Sequence, residues 1–180
     1  NVPVLDNQRC NGCGMCRQVC SGLGNKLKEV GSSLFVSDKC SYDSNIGFFH
    51  KCFATYSCDL DIRYHASAGG TITQLLCHLL DTGFIDGAAI VGYGMKDIMS
   101  PFHLIARNTD QIQSCRGVKL CPVSQEGIAR EILEREGKYI IVGLPCHIQS
   151  FRKLAMIDHV FSERVVGYWG LQCAGCLTFR

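Results

Sequence analysis

Thirteen cysteines among 180 residues constrain this chain more than any other feature. Four of them fall in Cys10-Asn11-Gly12-Cys13-Gly14-Met15-Cys16-Arg17-Gln18-Val19-Cys20, which has the spacing C-x2-C-x2-C-x3-C. A cubane iron–sulfur cluster takes thiolates from several sides of one compact body. Two-residue gaps let a tight loop wrap three of its corners, and Gly12 and Gly14 let the backbone come close. A structural zinc site usually sets two such knuckles across a longer gap, which this run lacks. The run therefore points to a 4Fe-4S cluster on Cys10, Cys13, Cys16 and Cys20, with zinc as the competing occupant.

Two features leave the ligand set open. Ser21 stands where the bacterial ferredoxin pattern carries proline, and no second complete run follows. In two-cluster ferredoxins the fourth cysteine serves the other cluster, so Cys20 either completes this cluster or helps to hold a second one. Cys40, Cys52 and Cys58 are irregularly spaced candidates to join it.

The rest of the composition sets the class. Apolar residues make up 47% and charged residues 19%, which excludes a disordered chain. A chain this long buries roughly 70% of its unfolded surface and needs no disulfide to stay folded. An odd number of cysteines cannot all pair, and Asn1 to Arg9 carries Asp6 and Arg9 without the apolar stretch of a signal peptide. Clustered cysteines in a cytosolic setting are metal or redox ligands, so a cytoplasmic protein is expected. Eighteen basic against sixteen acidic side chains give a net charge of +2 with no basic stripe, which argues against a nucleic-acid partner. Apolar runs such as Tyr139 to Pro145 are far too short to span a membrane. The chain begins without methionine and stops at Arg180 soon after Cys173 and Cys176, so a fragment of a longer protein is expected.

Seven of the thirteen cysteines precede residue 60, in a region rich in glycine and polar residues with little periodicity. Beyond it, helical and strand-like patterns alternate. Residues 1–60 are therefore expected to form a small ferredoxin-like cluster segment and residues 61–180 an α/β core. Ile72, Leu75, Leu76, Leu79 and Leu80 follow the spacing of one buried helix face, closed by Gly83. Ala88 to Val91 and Phe102 to Ala106 read as strands. Ser124 is expected to cap a helix to about Glu136, with Ile128, Ile132 and Leu133 inward and Gly137 closing it. Tyr139 to Val142 reads as a buried strand. A helix then starts near Cys146 and buries Ile148, Phe151 and Leu154, and Val165 to Tyr168 makes a last strand. Strands alternating with helices predict an α/β fold.

Three elements carry chemistry besides the cysteine run. Ala66-Ser67-Ala68-Gly69-Gly70-Thr71 leads into the first of these helices, whose unpaired amides suit a phosphate or a flavin edge. The plainer alternative is a tight turn capped by Ser67 or Thr71. Val142-Gly143-Leu144-Pro145-Cys146-His147 puts a cysteine where a strand ends and a helix begins, the edge at which open α/β sheets gather ligands. A helix terminus there favours the thiolate that binds metal, and Pro145 suits the first turn. Gly170-Leu171-Gln172-Cys173-Ala174-Gly175-Cys176 follows the last strand. If the two strands are parallel, Cys146 and Cys173 share an edge. Cys77 reads as a small buried thiol, and His147 beside Cys146 as structural rather than a proton relay. His50, His65, His78, His103 and His159 read as ordinary surface or satisfied residues.

Taken together, four stretches resemble the coenzyme F420 hydrogenase/dehydrogenase beta-subunit family. They are Tyr64 to Leu76, Arg116-Gly117-Val118-Lys119 with Cys121-Pro122-Val123, Val142 to Ile148 with Arg152-Lys153-Leu154, and Gly170-Leu171-Gln172-Cys173. The order matches over nearly the whole chain, and Gly-Leu-Pro-Cys is the most specific element. The resemblance implies an iron–sulfur flavoprotein with FAD and one or two 4Fe-4S clusters. Cys146 and Cys173 would be ligands of a core cluster, with Ser67, Gly69, Gly70, Thr71 and Lys119 near FAD. It implies other redox subunits or a ferredoxin as partners, and a deazaflavin or other organic hydride acceptor as substrate. The chain departs from the family pattern at His147, where glutamine is usual, and at Ala68, which replaces a second serine. Cys115 to Leu120 also lacks the serine or threonine after glycine and the aromatic after lysine.

The leading expectation is an oxidoreductase subunit passing electrons between clusters, FAD and a hydride-exchanging substrate such as coenzyme F420. The alternatives are a ferredoxin-like relay without catalysis of its own, a tetrapyrrole reductase of the chlorophyll-pathway type, and a zinc-binding structural protein. No Ser/His/Asp set or paired carboxylates suggest hydrolysis, and no single catalytic side chain is nominated.

Overall fold

The computed structural model describes residues 4–23, 27–35, 40–94, 97–119, 121–173 and 175; Cys176, the last residue of the closing Gly-Leu-Gln-Cys-Ala-Gly-Cys stretch, lies outside them. The N-terminal part holds short helices α1 (Met15–Val19) and α2 (Leu27–Leu34) and a hairpin of β1 (Ser41–Asp43) and β2 (Gly47–Phe49). Helices α3 (Leu60–His65) and α4 (Thr71–Asp81) follow, then β3 (Gly87–Gly94) and β4 (Asp97–Ala106). The remaining order is α5 (Thr109–Ser114), α6 (Ile128–Glu134), β5 (Tyr139–Gly143), α7 (Pro145–Ala155), α8 (His159–Arg164) and β6 (Val165–Gly170). The fold is α/β, as the alternating pattern predicts.

Four strands form one sheet in the order β4-β3-β5-β6. Strand β4 returns antiparallel on β3, whereas β3 pairs parallel with β5, and β5 parallel with β6. Helices cover both faces. On one face Ala88, Ile90, Ile140 and Val142 meet Leu76 and Cys77 of α4 and Ile112 of α5. On the other, Ala89, Tyr139 and Ile141 meet Ile128 and Ile132 of α6, Phe151 of α7 and Phe161 of α8. A strand covered on both sides needs apolar residues at every position rather than alternate ones. This is why Tyr139-Ile140-Ile141-Val142 is continuous, and every residue of β5 is buried.

Several expectations change in detail. Leu75, placed inward by periodicity, is 45% exposed, whereas Leu76 and Cys77 of the same helix are buried in the core. The helix expected to begin at Ser124 begins at Ile128. Gly127, with φ 90°, is its cap, and the Ser124 hydroxyl accepts instead from the Glu126 amide in a local turn. That helix stops at Glu134, short of Gly137. Three short helices had no apolar period long enough to reveal them. Each is started by an acidic or amide side chain accepting from backbone amides: Asp59 for α3, Asn108 for α5 and Asp158 for α8.

The packing of α8 gives a direct check on the second core layer. Phe161 is fully buried and stacks on Phe151, with ring centroids 6.0 Å apart. Phe161→Ala is expected to lower stability by about 3–5 kcal/mol, measured by urea denaturation, without loss of helix content in circular dichroism.

Candidate functional site

Strand register decides where the two internal cysteine motifs meet. In the parallel β5–β6 pair, Gly143 stands opposite Gly170, and the Leu171 amide donates to the Gly143 carbonyl at 2.9 Å. Cys146 and Cys173 each follow those glycines by three residues, so both leave the sheet at the same edge, and both are exposed. Leu144 is the N-cap of α7 and Pro145 its first residue, which puts Cys146 in the first turn. Beside it, burial pushes the His147 imidazole below its ordinary pKa, and its side chain lies against Gly143.

The N-terminal cysteine run sits against the same helix. Helix α1 contacts α7, and the Lys153 ammonium donates to the Cys20 carbonyl at 2.8 Å. The loop before α1 is set by local bonds. The Asp6 carbonyl accepts from the Arg9 and Cys10 amides, and Asn11 Oδ1 accepts from the Cys13 amide. Gly12 and Gly14 turn it with φ of 72° and 74°, a conformation that costs glycine little. Cys10, Cys13 and Cys16 are exposed and Cys20 is half-buried. Gly14, Arg17, Gln18, Gly22 and Leu23 line an open cleft next to them.

Cysteine is among the most buried residue types, so this exposure is out of character for packing thiols. Cys77 and Cys121 are buried, as structural cysteines are, and burial pushes the Cys77 thiol pKa up. Among the described residues no three Cys, His or acidic side chains already converge closely enough to grip a metal ion. In donor chemistry, accessibility and loop shape, residues 10–20 nevertheless fit a thiolate-held cluster. Cys52 and Cys58 are exposed and Cys40 and Cys115 half-buried.

The glycine turn and the Arg116 stretch come together. The Ser67 hydroxyl accepts from the Val118 amide at 2.8 Å, and Arg116 bridges to Asp61 of α3 at 2.7 Å. Gly69 and Gly70 both have positive φ, and Gly70 rather than Ser67 or Thr71 occupies the cap of α4, with no side chain capping it. Thr71 instead donates to the Thr55 hydroxyl at 3.0 Å. A Cβ on Gly69 would lie 3.1 Å from the Thr55 carbonyl, and one on Gly70 would lie 2.9 Å from Ile62 Cγ2. These glycines therefore let the chain fold tightly upon itself, while the first amides of α4 are left without a side-chain cap. The Lys119 ammonium donates to the Cys115, Arg116 and Gly117 carbonyls, and burial lowers its pKa.

Residues 52–128 match the family described as coenzyme F420 hydrogenase/dehydrogenase, beta subunit, N-terminal part. Over that stretch, less than half of its length, the chain is similar to the beta subunits of coenzyme F420 hydrogenase/dehydrogenase. Among curated relatives, it is 28% identical over 110 residues to coenzyme F420 hydrogenase subunit beta of Methanothermobacter thermautotrophicus, covering 60% of this chain and 39% of that protein. It is 26% identical over 166 residues to coenzyme F420-dependent sulfite reductase of Methanocaldococcus jannaschii, covering 84% of this chain and 26% of that protein. The chain thus spans 26–39% of the length of these relatives. A solved structure of the F420-reducing [NiFe] hydrogenase complex of Methanosarcina barkeri contains a chain that superposes with a TM-score of 0.64. That chain is 25% identical, and the match covers 74% of this chain and 47% of that one.

Two side chains beside the expected site residues matter, although neither is expected from sequence as a site residue. Asp61 and Arg116 tie α3 to the loop carrying Lys119, and only their approach in space reveals the pair. The Arg116 guanidinium holds the Asp61 carboxyl below its ordinary value of 3.8. The folded chain thus binds this proton less readily than the unfolded one. The bridge stabilises above the ordinary carboxylate pKa, and that contribution disappears as pH falls through the lowered one. Arg116→Met is expected to return the Asp61 pKa upward, read from its carboxyl carbon shift in an NMR titration, and high salt should shrink the difference between the two chains.

Proposed function

We propose that this chain is an iron–sulfur flavoprotein subunit of an oxidoreductase, moving electrons between 4Fe-4S clusters, FAD and a hydride-exchanging substrate such as coenzyme F420. The observation that carries the reading is the β5–β6 register, which delivers the Gly-Leu-Pro-Cys and Gly-Leu-Gln-Cys motifs to one sheet edge beside the cysteine run held on α7. Relatives named for coenzyme F420 in three kinds of redox enzyme, a hydrogenase, a formate dehydrogenase and a sulfite reductase, support the substrate class.

In this reading Cys10, Cys13, Cys16 and Cys20 hold one cluster, while Cys146 and Cys173 supply ligands to a second. Ser67, Gly69, Gly70, Thr71 and Lys119 bind FAD, the uncapped start of α4 facing its anionic diphosphate. FAD and a 4Fe-4S cluster, when bound, supply the exchange of a two-electron hydride for single electrons. The chain's own residues position these groups. Lys153 fixes the Cys20 backbone against α7, and the Ser67–Val118 bond together with the Arg116–Asp61 bridge closes the glycine turn onto the Lys119 loop. The exposed sheet edge suits docking of a further redox subunit or a ferredoxin. Residues 1–60 act as the cluster segment and 61–180 as the flavin-binding core.

Purification without oxygen, followed by assay of iron, acid-labile sulfide, zinc and released flavin, tests the reading. Iron, sulfide and FAD together are expected. Iron without flavin would leave only an electron relay, and zinc without iron would overturn the redox reading. Cys13→Ser is expected to abolish the N-terminal cluster, seen by electron paramagnetic resonance, while FAD content stays at the wild-type level. Loss of flavin with every cluster would refute the division of labour.

A further inference from the structure

Two consecutive cations in the last turn of α7, Arg152 and Lys153, both reach into the N-terminal part. The Arg152 guanidinium lies 4.7 Å from the ring centre of Tyr168 on β6 and 5.7 Å from that of Phe35, just past α2. The Lys153 ammonium donates to the Cys20 carbonyl at 2.8 Å. A lysine at the end of a helix ordinarily serves that helix's own carbonyls or turns to water. Lys153 is instead half-buried and bonded to a residue 133 positions away. Among the described residues no carboxylate pairs with either cation.

Open space adjoins the residue that Lys153 holds. A Cβ on Gly22 would lie 3.6 Å from Cys20 Sγ, so the sulfur stands beside Gly22, which lines the cleft together with Gly14, Arg17, Gln18 and Leu23. Two cations therefore border this neighbourhood. Arg17 is exposed, and solvent and salt screen its charge; Lys153 is half-buried and screened less.

We infer that Lys153 is a positioning residue for the N-terminal cluster and sets its reduction potential: the ammonium fixes the Cys20 backbone and puts one uncompensated positive charge beside the cluster held by Cys10, Cys13, Cys16 and Cys20. This rests on the iron–sulfur reading above. Four thiolates make such a cluster an anion, and one-electron reduction adds a further negative charge. A neighbouring cation stabilises the more negative state more strongly, and so raises the potential.

The test uses the whole chain, purified without oxygen, with iron counted before anything else. Wild-type protein without iron would overturn the function and this inference together. With iron present, the inference stands or falls alone. Lys153→Met removes charge and donor, Lys153→Gln keeps a donor without the charge, and Lys153→Arg keeps both. We expect the reduction equilibrium of the N-terminal cluster to fall about tenfold in the Met and Gln variants, or about 59 mV for a one-electron couple, in a potentiometric titration followed by electron paramagnetic resonance. Lys153→Arg should keep the wild-type value. The signal belonging to that cluster is the one that Cys13→Ser removes. An unchanged potential in Lys153→Met, a wild-type potential in Lys153→Gln, a lowered one in Lys153→Arg, or a shift confined to another signal would overturn the inference. A second measurement covers neutral variants that fail to assemble. With carbon-13 at lysine Cε, the wild-type resonance that is missing from Lys153→Arg should move or broaden between the oxidised and reduced protein, and a resonance indifferent to oxidation state would overturn the inference.

Discussion

The parallel pairing of β5 with β6 is the constraint on which the rest of this structure depends. A parallel neighbour forces both strands to end at the same edge, and opposing Gly143 with Gly170 gives their cysteines matching offsets. Holding that register requires β5 to be buried on both faces, since a slip by one residue would turn its whole side-chain set over. Tyr139 and Ile141 are anchored by α6, α7 and α8, and Ile140 and Val142 by α4 and α5. The apolar core is in this sense the jig for the sheet-edge cysteines.

Around that jig, the polar contacts join segments distant in the chain. Lys153 reaches Cys20 across 133 residues, Ser67 reaches Val118 across 51, and Arg116 reaches Asp61 across 55. Each ties a cysteine- or glycine-bearing loop to the α/β body. The exposed bonds among them add little stability by themselves; their effect is to hold loops whose own apolar content is too small to dock them.

Much of the α/β body was legible from residue order alone. The leucine-rich helix, the buried run at residues 139–142 and the Pro145 helix start all stand where periodicity and capping rules put them. Helices α3, α5 and α8 escaped because six residues contain too few repeats for a period, although Asp59, Asn108 and Asp158 mark their starts. Leu75 and Ser124 show the opposite error. Leu75 has helical spacing without a partner to bury it, and Ser124 is a capable cap displaced by a left-handed glycine three residues on.

By itself, residue order determined the chemistry available: thirteen thiols, four of them spaced to surround a small body, and glycine turns at the starts of helices. Donor type and local spacing are properties of neighbouring residues, so they can be read along the chain. Only the tertiary structure decided that Cys146 and Cys173 share an edge and that the cysteine run rests on α7. Those facts follow from strand register and from which surface one segment covers on another. Both are set by burial summed over the whole core, and no local pattern carries that sum.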